Sequence, residues 1–338
     1  MSMNKDNFVY NNELTNLQNE FKNLGTTQLE QSEQITQQDK QNKQDSNSGL
    51  NVSVDNTNYV QELVNKLKTY VEENKPSLAI LTPCYGGLCY SNYTISLINT
   101  LKIFESCNFP IKPYFLNNDS LVPRARNNLI ASAMLDLSTT HFIFIDADIV
   151  WNPFDIIKLI LANKLIIGGI YPKKSYKFNK ISTDPSIINN WIEKKNKINL
   201  NICDEDLIKN NLLDYNINYL STNLQIKKNI IELKHLATGF MLLQREVIET
   251  MIQNFPEKKY IDDTGFISSN DCIYTYALFD CEVIDGHYYS EDWLFSHRWS
   301  SLGGKIYADI SIDLVHIGTE NYNGSYIKNL FTTKNLND

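Results

Sequence analysis

The sequence has little of what marks several classes of protein. It contains 13 Gly and 9 Pro among 338 residues, too few for a collagen-like or proline-rich fibrous chain. Its longest apolar runs, such as 165–171, fall far short of the roughly 20 residues that a membrane-spanning helix needs. The opening MSMNKDNFVYNNEL lacks the apolar core of a signal peptide. We therefore expect a globular protein with no transmembrane segment, located in the cytoplasm, or in the host cytoplasm if the chain is viral.

Positive charge is also scarce. Lys and Arg together number 31 against 39 Asp and Glu, which gives a formal net charge of −8. A broad basic surface for a nucleic acid backbone is therefore not expected. Only four of the cations are arginines, namely Arg124, Arg126, Arg245 and Arg298. Because Lys is the usual cation of this chain, each Arg indicates a need for a planar fork of donors.

The cysteines do not form a metal-binding or redox motif. The six are Cys84, Cys89, Cys107, Cys203, Cys272 and Cys281. No two have CxxC spacing, and none stands beside a His in a zinc-like pattern. Reduced and mostly buried thiols are the expected state.

The first part of the chain differs in composition from the rest. Residues 1–57 include QSEQITQQDKQNKQDSNSG and few apolar side chains. Such a segment buries too little surface to offset its chain entropy. We predict a disordered, low-complexity tail over 1–57 and a folded domain over 58–338.

Apolar runs and helical patterns alternate from residue 77 onward. SLAILTP, IKPYFLN, THFIFID and LIIGGIY read as strands, and amphipathic stretches separate them. This alternation predicts an α/β fold with a mostly parallel sheet. Residues 173–234 are rich in Lys and Asn and interrupt the rhythm, which predicts an insertion or variable subdomain. The core pattern resumes at HLATGFMLLQREV, predicted to be one strand followed by a helix.

The sharpest chemical feature is the pair Asp146 and Asp148, directly after the apolar run FIFI. Ligands of open α/β sheets bind at the carboxyl ends of strands. Two carboxylates there can hold a hard divalent cation with open coordination positions. Such a cation can neutralise charge on a leaving diphosphate. The alternative is a helix N-cap without a metal.

Two further segments before this pair suit anionic and nucleotide ligands. Arg124 and Arg126 stand at the start of a predicted helix, where a guanidinium and helix N–H groups can bind anionic oxygens. A surface ion pair is the alternative. Tyr85, Gly86 and Gly87 follow the first strand. The glycines allow close approach of the backbone to a nucleotide, although an ordinary tight turn has the same pattern.

Near the end of the chain, Glu291, Asp292 and His316 are candidate functional groups. The acidic pair precedes WLF, so it is either a helix N-terminal turn or a general base. His316 follows a short apolar run. Its imidazole is either structural or the third ligand of a metal site begun by the two aspartates.

Seven segments in order resemble the glycosyltransferases of the GT-A fold. They are TPCYGG, RARNNLIASAM, FIFIDADIVWNP, IIGGIYPKK, HLATGFMLLQREV, YSEDWLFSHRWSSLGGKIYAD and LVHIG, within about residues 77–326. The set is similar to a group of bacterial and large-virus sugar transferases with a DxD motif, and more distantly to fungal mannosyltransferases. The resemblance implies a Rossmann-like nucleotide-binding mixed sheet flanked by helices.

The resemblance also implies roles in binding the donor. Pro83, Tyr85 and Asp119 would lie at the base and ribose, and Arg124 or Arg126 would contact the diphosphate or the donor sugar. Asp146 and Asp148 would be the DxD motif, with Asp146 also near the nucleotide sugar. His316 would be the C-terminal metal-binding histidine. The implied cofactor is Mn²⁺ or Mg²⁺.

On the acceptor side, Thr238 and Gly239 would line the pocket for sugar and acceptor. Glu291 and Asp292 match the acidic motif whose second member is the base in inverting enzymes. The segment 173–234 departs from the family pattern, and so does the lack of a membrane anchor.

The expected function is therefore a metal-dependent glycosyltransferase that moves a sugar from a nucleotide-diphosphate sugar to a hydroxyl of a glycan or protein. A hexosyl-type transfer with inversion is expected, with a UDP-sugar favoured and a GDP-sugar second. The alternative is a catalytically silent nucleotide-sugar-binding module of the same fold. A metal-dependent nuclease or phosphohydrolase would need more carboxylates and a basic groove.

Overall fold

The computed structural model describes residues 52–197, 208–209, 211–221, 223–268 and 271–319. Most of the predicted tail, 1–51, lies outside these residues. The helices are α1 (Val52–Asn74), α2 (Ser91–Ser106), α3 (Val122–Met134), α4 (Pro153–Leu161), α5 (Lys180–Thr183), α6 (Ser186–Lys197), α7 (Arg245–Asn254) and α8 (Glu291–Ser301). Within the described ranges, no helix combines the length and the apolar character needed to cross a membrane.

Fourteen strands are present in the described residues. They are β1 (Leu78–Cys84), β2 (Ile111–Asn117), β3 (His141–Ile145), β4 (Ile149–Val150), β5 (Ile166–Gly168), β6 (Pro172–Tyr176), β7 (Leu213–Tyr215), β8 (Ile217–Tyr219), β9 (Ile230–Leu236), β10 (Phe240–Gln244), β11 (Glu282–Ile284), β12 (His287–Tyr289), β13 (Ile306–Asp309) and β14 (Val315–His316). Eight of them form one sheet in the order β2-β1-β3-β10-β5-β13-β9-β8.

The main sheet is mixed and flanked by helices, which confirms the predicted fold class and is consistent with a Rossmann-like GT-A arrangement. The expectation of a mostly parallel sheet was wrong. β1 pairs in parallel with β2 and β3, and β5 does so with β13. The other four pairings are antiparallel. Strand direction follows from which distant strands meet, and a pattern of local hydrophobicity does not encode that.

The region around residue 237 holds two strands where one was predicted. β9 and β10 run in the same direction but insert at different places in the sheet, β9 between β13 and β8 and β10 between β3 and β5. A single extended run is thus broken at 237–239. The predicted insertion 173–234 also contains β8 and the first residues of β9, so part of it belongs to the main sheet.

The core lies on both faces of the sheet. Successive residues of β3 alternate between two apolar clusters: Phe142 and Phe144 belong to one, and Ile143 and Ile145 to the other. Side chains on a strand point alternately to opposite faces. A strand covered on both faces therefore reads as a continuous apolar run, as FIFI does.

This architecture places the site-forming loops at one edge. β1 and β3 are parallel neighbours, so their carboxyl ends meet at the same edge of the sheet. The residues after β3 lead directly into β4, which pairs with β14 so that His316 lies opposite Ile149. The Ile317 N–H donates to the Asp148 carbonyl at 2.8 Å, which fixes the last segment against the DxD turn.

Candidate functional site

A cleft of about 560 Å³ opens at this edge. Its walls come from the turn after β1, the start of α3 and the loop after β3. Six residues singled out from the sequence line it, namely Pro83, Tyr85, Asp119, Arg126, Asp146 and Asp148. The structure therefore brings together most of the predicted donor-binding set, from segments spread over more than 60 residues of the chain.

Arg126 is the central electrostatic element of this cleft. Its side chain is 4% exposed, and its Nη2 donates to Asp146 Oδ1 at 2.9 Å while its Nε donates to Glu291 Oε1 at 3.3 Å. Its Nη1 is buried without a hydrogen-bond partner among the described residues. Burial alone would lower the pKa of the guanidinium, but the carboxylates of Asp146 and Glu291 outweigh it and raise that pKa. Arg126 therefore stays charged and retains one free donor.

The two-armed contact of Arg126 leads to a specific prediction about the stability of the fold. In Arg126→Lys, one ammonium cannot reproduce the two-armed geometry, so one partly buried carboxylate loses its partner. We expect the free energy of unfolding to fall by roughly 1–3 kcal/mol, measured by chemical denaturation. Lys66→Arg exchanges the same two residue types at an exposed ion pair with Glu62, so it is the control and should change stability little. Equal losses in the two variants would contradict the buried-fork interpretation.

Arg124 is engaged differently from Arg126. It forms a two-pronged ion pair with Asp119, through Nη2 to Oδ1 at 2.7 Å and Nε to Oδ2 at 2.9 Å. These bonds from Arg124 lower the pKa of the Asp119 carboxyl, although burial opposes them. Oδ1 also accepts the Leu121 N–H. Since a carboxylate oxygen has two acceptor sites, Oδ2 of Asp119 retains one for a ligand hydroxyl.

The other two arginines bind backbone carbonyls: Arg245 uses both arms of its fork, whereas Arg298 donates from Nη1 alone and its Nη2 has no hydrogen-bond partner among the described residues. Arg245 donates to the carbonyls of Met134, Asp136 and Thr139, and Arg298 donates to those of Ala277 and Leu278. Each of the four arginines thus contacts at least two acceptor atoms.

Asp148, His316 and Lys174 form a second polar cluster at the cleft. His316 Nδ1 lies 2.8 Å from the Pro172 carbonyl oxygen. A carbonyl only accepts, so Nδ1 carries the proton and the lone pair of a neutral ring is on Nε2. Nε2 lies 3.5 Å from Asp148 Oδ1, and the Lys174 ammonium contacts Asp148 Oδ2.

The charge state of Asp148 follows from these neighbours. Burial alone would raise the pKa of its carboxyl, but a hydrogen bond from His316, made when Nε2 carries a proton, and the Lys174 ammonium outweigh it and hold that pKa below its ordinary value. When the ring is neutral with its proton on Nδ1, an Asp148 carboxylate oxygen instead faces the Nε2 lone pair. Hard divalent cations accept this pair of ligand types, and a backbone carbonyl on the far ring nitrogen is the usual support of a metal-binding His.

The three metal ligands predicted from the sequence do not all lie together. Asp148 and His316 lie together, whereas the Asp146 carboxylate is bound by Arg126. In the described ranges, no three His, Cys, Asp or Glu side chains form a ready-made cation cage. The chemistry of the Asp148–His316 pair fits an open site for Mn²⁺ or Mg²⁺, in which water and substrate oxygens supply the remaining ligands.

Glu291 and Asp292 occupy the first turn of α8. Glu291 Oε1 accepts from Arg126 and, at 3.5 Å, from the Thr238 hydroxyl. Asp292 Oδ1 accepts from the Trp293 N–H at 2.9 Å and from the Ser290 hydroxyl. Burial, and then the neighbouring Glu291 charge, raise the pKa of the Asp292 carboxyl. A raised pKa brings a carboxylate closer to the range of a general base.

Gly239 and Tyr171 pack against the site residues Asp146 and His316. The Gly239 N–H donates to the Tyr171 hydroxyl at 3.2 Å, and the Gly239 carbonyl accepts the Asp146 N–H at 3.1 Å. A Cβ at Gly239 would lie 2.6 Å from that hydroxyl and 2.9 Å from Asp146 Oδ2, so only glycine fits. The Tyr171 ring also packs edge-on against His316 at 5.2 Å between centroids.

Sequence reasoning gave no role to Tyr171, Lys174 and the cleft residues Leu88, Cys89 and Tyr90. Tyr171 and Lys174 both stand in the segment IIGGIYPKK, and two cations directly after a strand were the available signal. A second cleft, of about 570 Å³, lies beside the cluster of Asp148, His316 and Lys174 and is lined by the last two of these residues. Tyr176 and Phe178 also line this second cleft.

Comparisons with known proteins add little. No protein-family model and no curated protein matches the chain. Among solved structures, the crystal structure of A197 from STIV is similar at 15% identity, over 72% of this chain and 86% of that chain, with a TM-score of 0.38. A glycosyltransferase involved in the glycosylation of the major capsid of PBCV-1 is similar at 13% identity, over 39% of this chain and 75% of that one, with a TM-score of 0.21. Likenesses this weak carry no argument about activity.

Proposed function

We propose that this protein is a metal-dependent glycosyltransferase that uses a nucleotide-diphosphate sugar, with a UDP-sugar as the favoured donor and a GDP-sugar second. The observation that carries the proposal is the buried Arg126 guanidinium, which lines the cleft and keeps one donor without a partner. A buried unpaired donor costs about 1–3 kcal/mol. An anionic oxygen of the donor substrate would satisfy it and strengthen the interaction, because charge-assisted bonds are the stronger ones.

The shape of the cleft suits the nucleotide end of such a donor. Pro83 and Tyr85 provide apolar and aromatic surface at the end of β1, and Tyr85 is 76% exposed. An exposed ring over a cleft can stack on a base. The free acceptor position on Asp119 Oδ2 is available to a ribose hydroxyl, with Arg124 holding the carboxylate in place.

The diphosphate end would lie between Arg126 and the Asp148–His316 pair. When bound there, Mn²⁺ or Mg²⁺ supplies positive charge to the leaving diphosphate. Lys174 adds a second cation at the same carboxylate, and Arg126 donates from the opposite wall. These protein groups hold the phosphate oxygens and fix the anomeric carbon toward the acceptor.

The reaction follows from these positions. The acceptor hydroxyl oxygen forms a bond to the anomeric carbon while the bond from that carbon to the diphosphate oxygen breaks. The diphosphate leaves with the electron pair of that bond, and the hydroxyl proton passes to the Asp292 carboxylate. Thr238 and Gly239 border the reacting sugar, and Glu291, held by Arg126 and Thr238, positions the acceptor of a glycan or a protein. A single displacement of this kind inverts the configuration.

A screen of nucleotide sugars with Mn²⁺ tests the proposal. We expect one UDP-sugar to release UDP and to raise the melting temperature of the full chain, and both effects to weaken when EDTA is added. A thermal shift without nucleotide release, even with candidate glycan acceptors, would favour the silent binding module. Neither a shift nor release with any UDP- or GDP-sugar would overturn the proposal.

A further inference from the structure

Two cysteine sulfurs approach each other beneath the wall of the cleft. Cys84 ends β1 and is buried, Cys89 is exposed, and their Sγ atoms lie 3.5 Å apart. A disulfide has an S–S bond of about 2.05 Å, so the sulfurs need to close by roughly 1.5 Å. Four residues, Tyr85 to Leu88, separate the two cysteines.

The loop between the cysteines is held at both ends and open in the middle. The Asn118 N–H donates to the Cys84 carbonyl at 3.1 Å, and the Tyr90 N–H donates to the Ala147 carbonyl at 3.1 Å. Between these anchors, Gly86 and Gly87 have φ values of 67° and 69°, which glycine adopts readily. Residues 85–89 are all exposed, so the loop can shift while its ends stay in place.

We propose that Cys84 and Cys89 form a reversible disulfide that remodels the wall of the donor cleft. Cys89 lines that cleft together with Tyr85 and Leu88. Closing the bond draws Cys89 toward the buried end of β1 and ties the six-residue loop into a ring. The consequence for the donor rests on the proposed function, whereas formation of the bond does not.

The chemistry needs a low-molecular-weight disulfide such as oxidised glutathione as the oxidant. The exposed Cys89 thiolate attacks one sulfur of the oxidant, forms a mixed disulfide and releases one reduced thiol. Cys84 then loses its proton and attacks the Cys89 sulfur, which forms the internal bond and releases a second reduced thiol. Two protein thiols are oxidised and one small disulfide is reduced to two thiols.

The two cysteines have unequal reactivity, which sets this order of steps. Burial, and then the hydrogen bond and charge of Cys89, raise the pKa of the Cys84 thiol to about 12. Cys84 therefore remains a thiol near neutral pH, and the thiolate is the attacking species. Once Cys89 is in the mixed disulfide, its charge is gone and deprotonation of Cys84 becomes easier.

The test treats the full chain with oxidised glutathione and maps the thiols by peptide mass spectrometry. We expect the peptide that contains residues 84–89 to lose two hydrogens and the change to reverse with dithiothreitol. Cys89→Ser should abolish it, and Cys272→Ser, the matched control at another described cysteine, should not. A stable glutathione adduct on Cys89, no change at all, or a bond from Cys89 to Cys203 would each overturn the proposal.

A binding measurement then tests whether the disulfide affects binding at the donor site. We expect UDP with Mn²⁺ to bind the oxidised protein at least about threefold more weakly than the reduced protein, because the preformed wall is displaced. Cys89→Ser should show no such dependence on the oxidant. Equal affinity in the two states would overturn the effect on the cleft. If the disulfide forms but neither state binds UDP or GDP, the proposed function fails while the disulfide stands.

Discussion

Asp292→Asn is expected to lower the rate of sugar transfer by about 10²- to 10⁴-fold, the usual contribution of general base catalysis. The amide keeps the acceptor atom that binds the Trp293 N–H but cannot take a proton. Folding and affinity for the nucleotide should therefore stay close to those of the unmodified protein. The measurement is single-turnover transfer beside nucleotide binding.

The pH profile gives this prediction a second measurement. Because burial raises the pKa of Asp292, transfer should fall as the pH drops through that raised pKa, above the value of about 4 of an ordinary Asp. Asp292→Asn should lose this acidic limb. Asp155→Asn is the matched control, because Asp155 also lies in the first turn of a helix, with a pKa raised by burial. Transfer by Asp292→Asn within a few-fold of the unmodified rate would eliminate the base role and favour a retaining mechanism.

Loss of the Asp148–His316 pair is expected to have the second large effect. Asp148→Asn and His316→Ala should each weaken Mn²⁺ binding by at least about tenfold, since even outer-shell changes cost that much. Metal-dependent turnover should fall by roughly 10²- to 10³-fold, because several kcal/mol of charge stabilisation is removed. Mn²⁺ binding followed by electron paramagnetic resonance reports affinity independently of turnover, and His287→Ala is the surface control. Reduced stability with unchanged Mn²⁺ affinity would show that His316 is structural.

Lys174 gives the opposite expectation at the same carboxylate. Its ammonium contacts Asp148 Oδ2 and competes there with a divalent cation. In Lys174→Met the aliphatic stem that packs on Gly318 is largely kept and the charge is lost. Mn²⁺ affinity should rise by up to about fivefold, the equivalent of a partly exposed ion pair, while Lys173→Met leaves it unchanged. Weaker Mn²⁺ binding in Lys174→Met would show that the lysine supports the cation site.

Local pattern was enough for much of the fold. IKPYFLN coincides with β2, and SLAILTP and THFIFID match β1 and β3 within a residue, because strands buried on both faces are continuous apolar runs. β8 and the start of β9 were not predicted as strands. They lie at and near the edge of the sheet, in a segment rich in Lys and Asn, so they show no clear apolar run. The direction of β10 could not be predicted, since it depends on contacts with β3 and β5.

The site was predictable in its residue types and less so in its pairings. A DxD turn, a helix with two arginines and a late His were visible in the sequence, and the structure places Asp148 beside His316. That Asp146 faces Arg126, and that Asp119 holds Arg124, depends on side-chain geometry across elements far apart in the chain. Lys174 was not predicted although Lys173 and Lys174 closely follow a predicted strand, because lysine is so common in this chain that such a pair attracts no notice.

The Arg126 guanidinium also has a consequence for how the sequence can drift. It joins three stretches of chain, with Asp146 20 residues away and Glu291 165 residues away. Loss of the arginine alone would leave two carboxylates without their cation. Loss of one acid would leave the arginine charge paired with a single carboxylate. Lineages in which this site is no longer under selection should therefore lose the three together or replace them in pairs, while the turn residues between them vary freely.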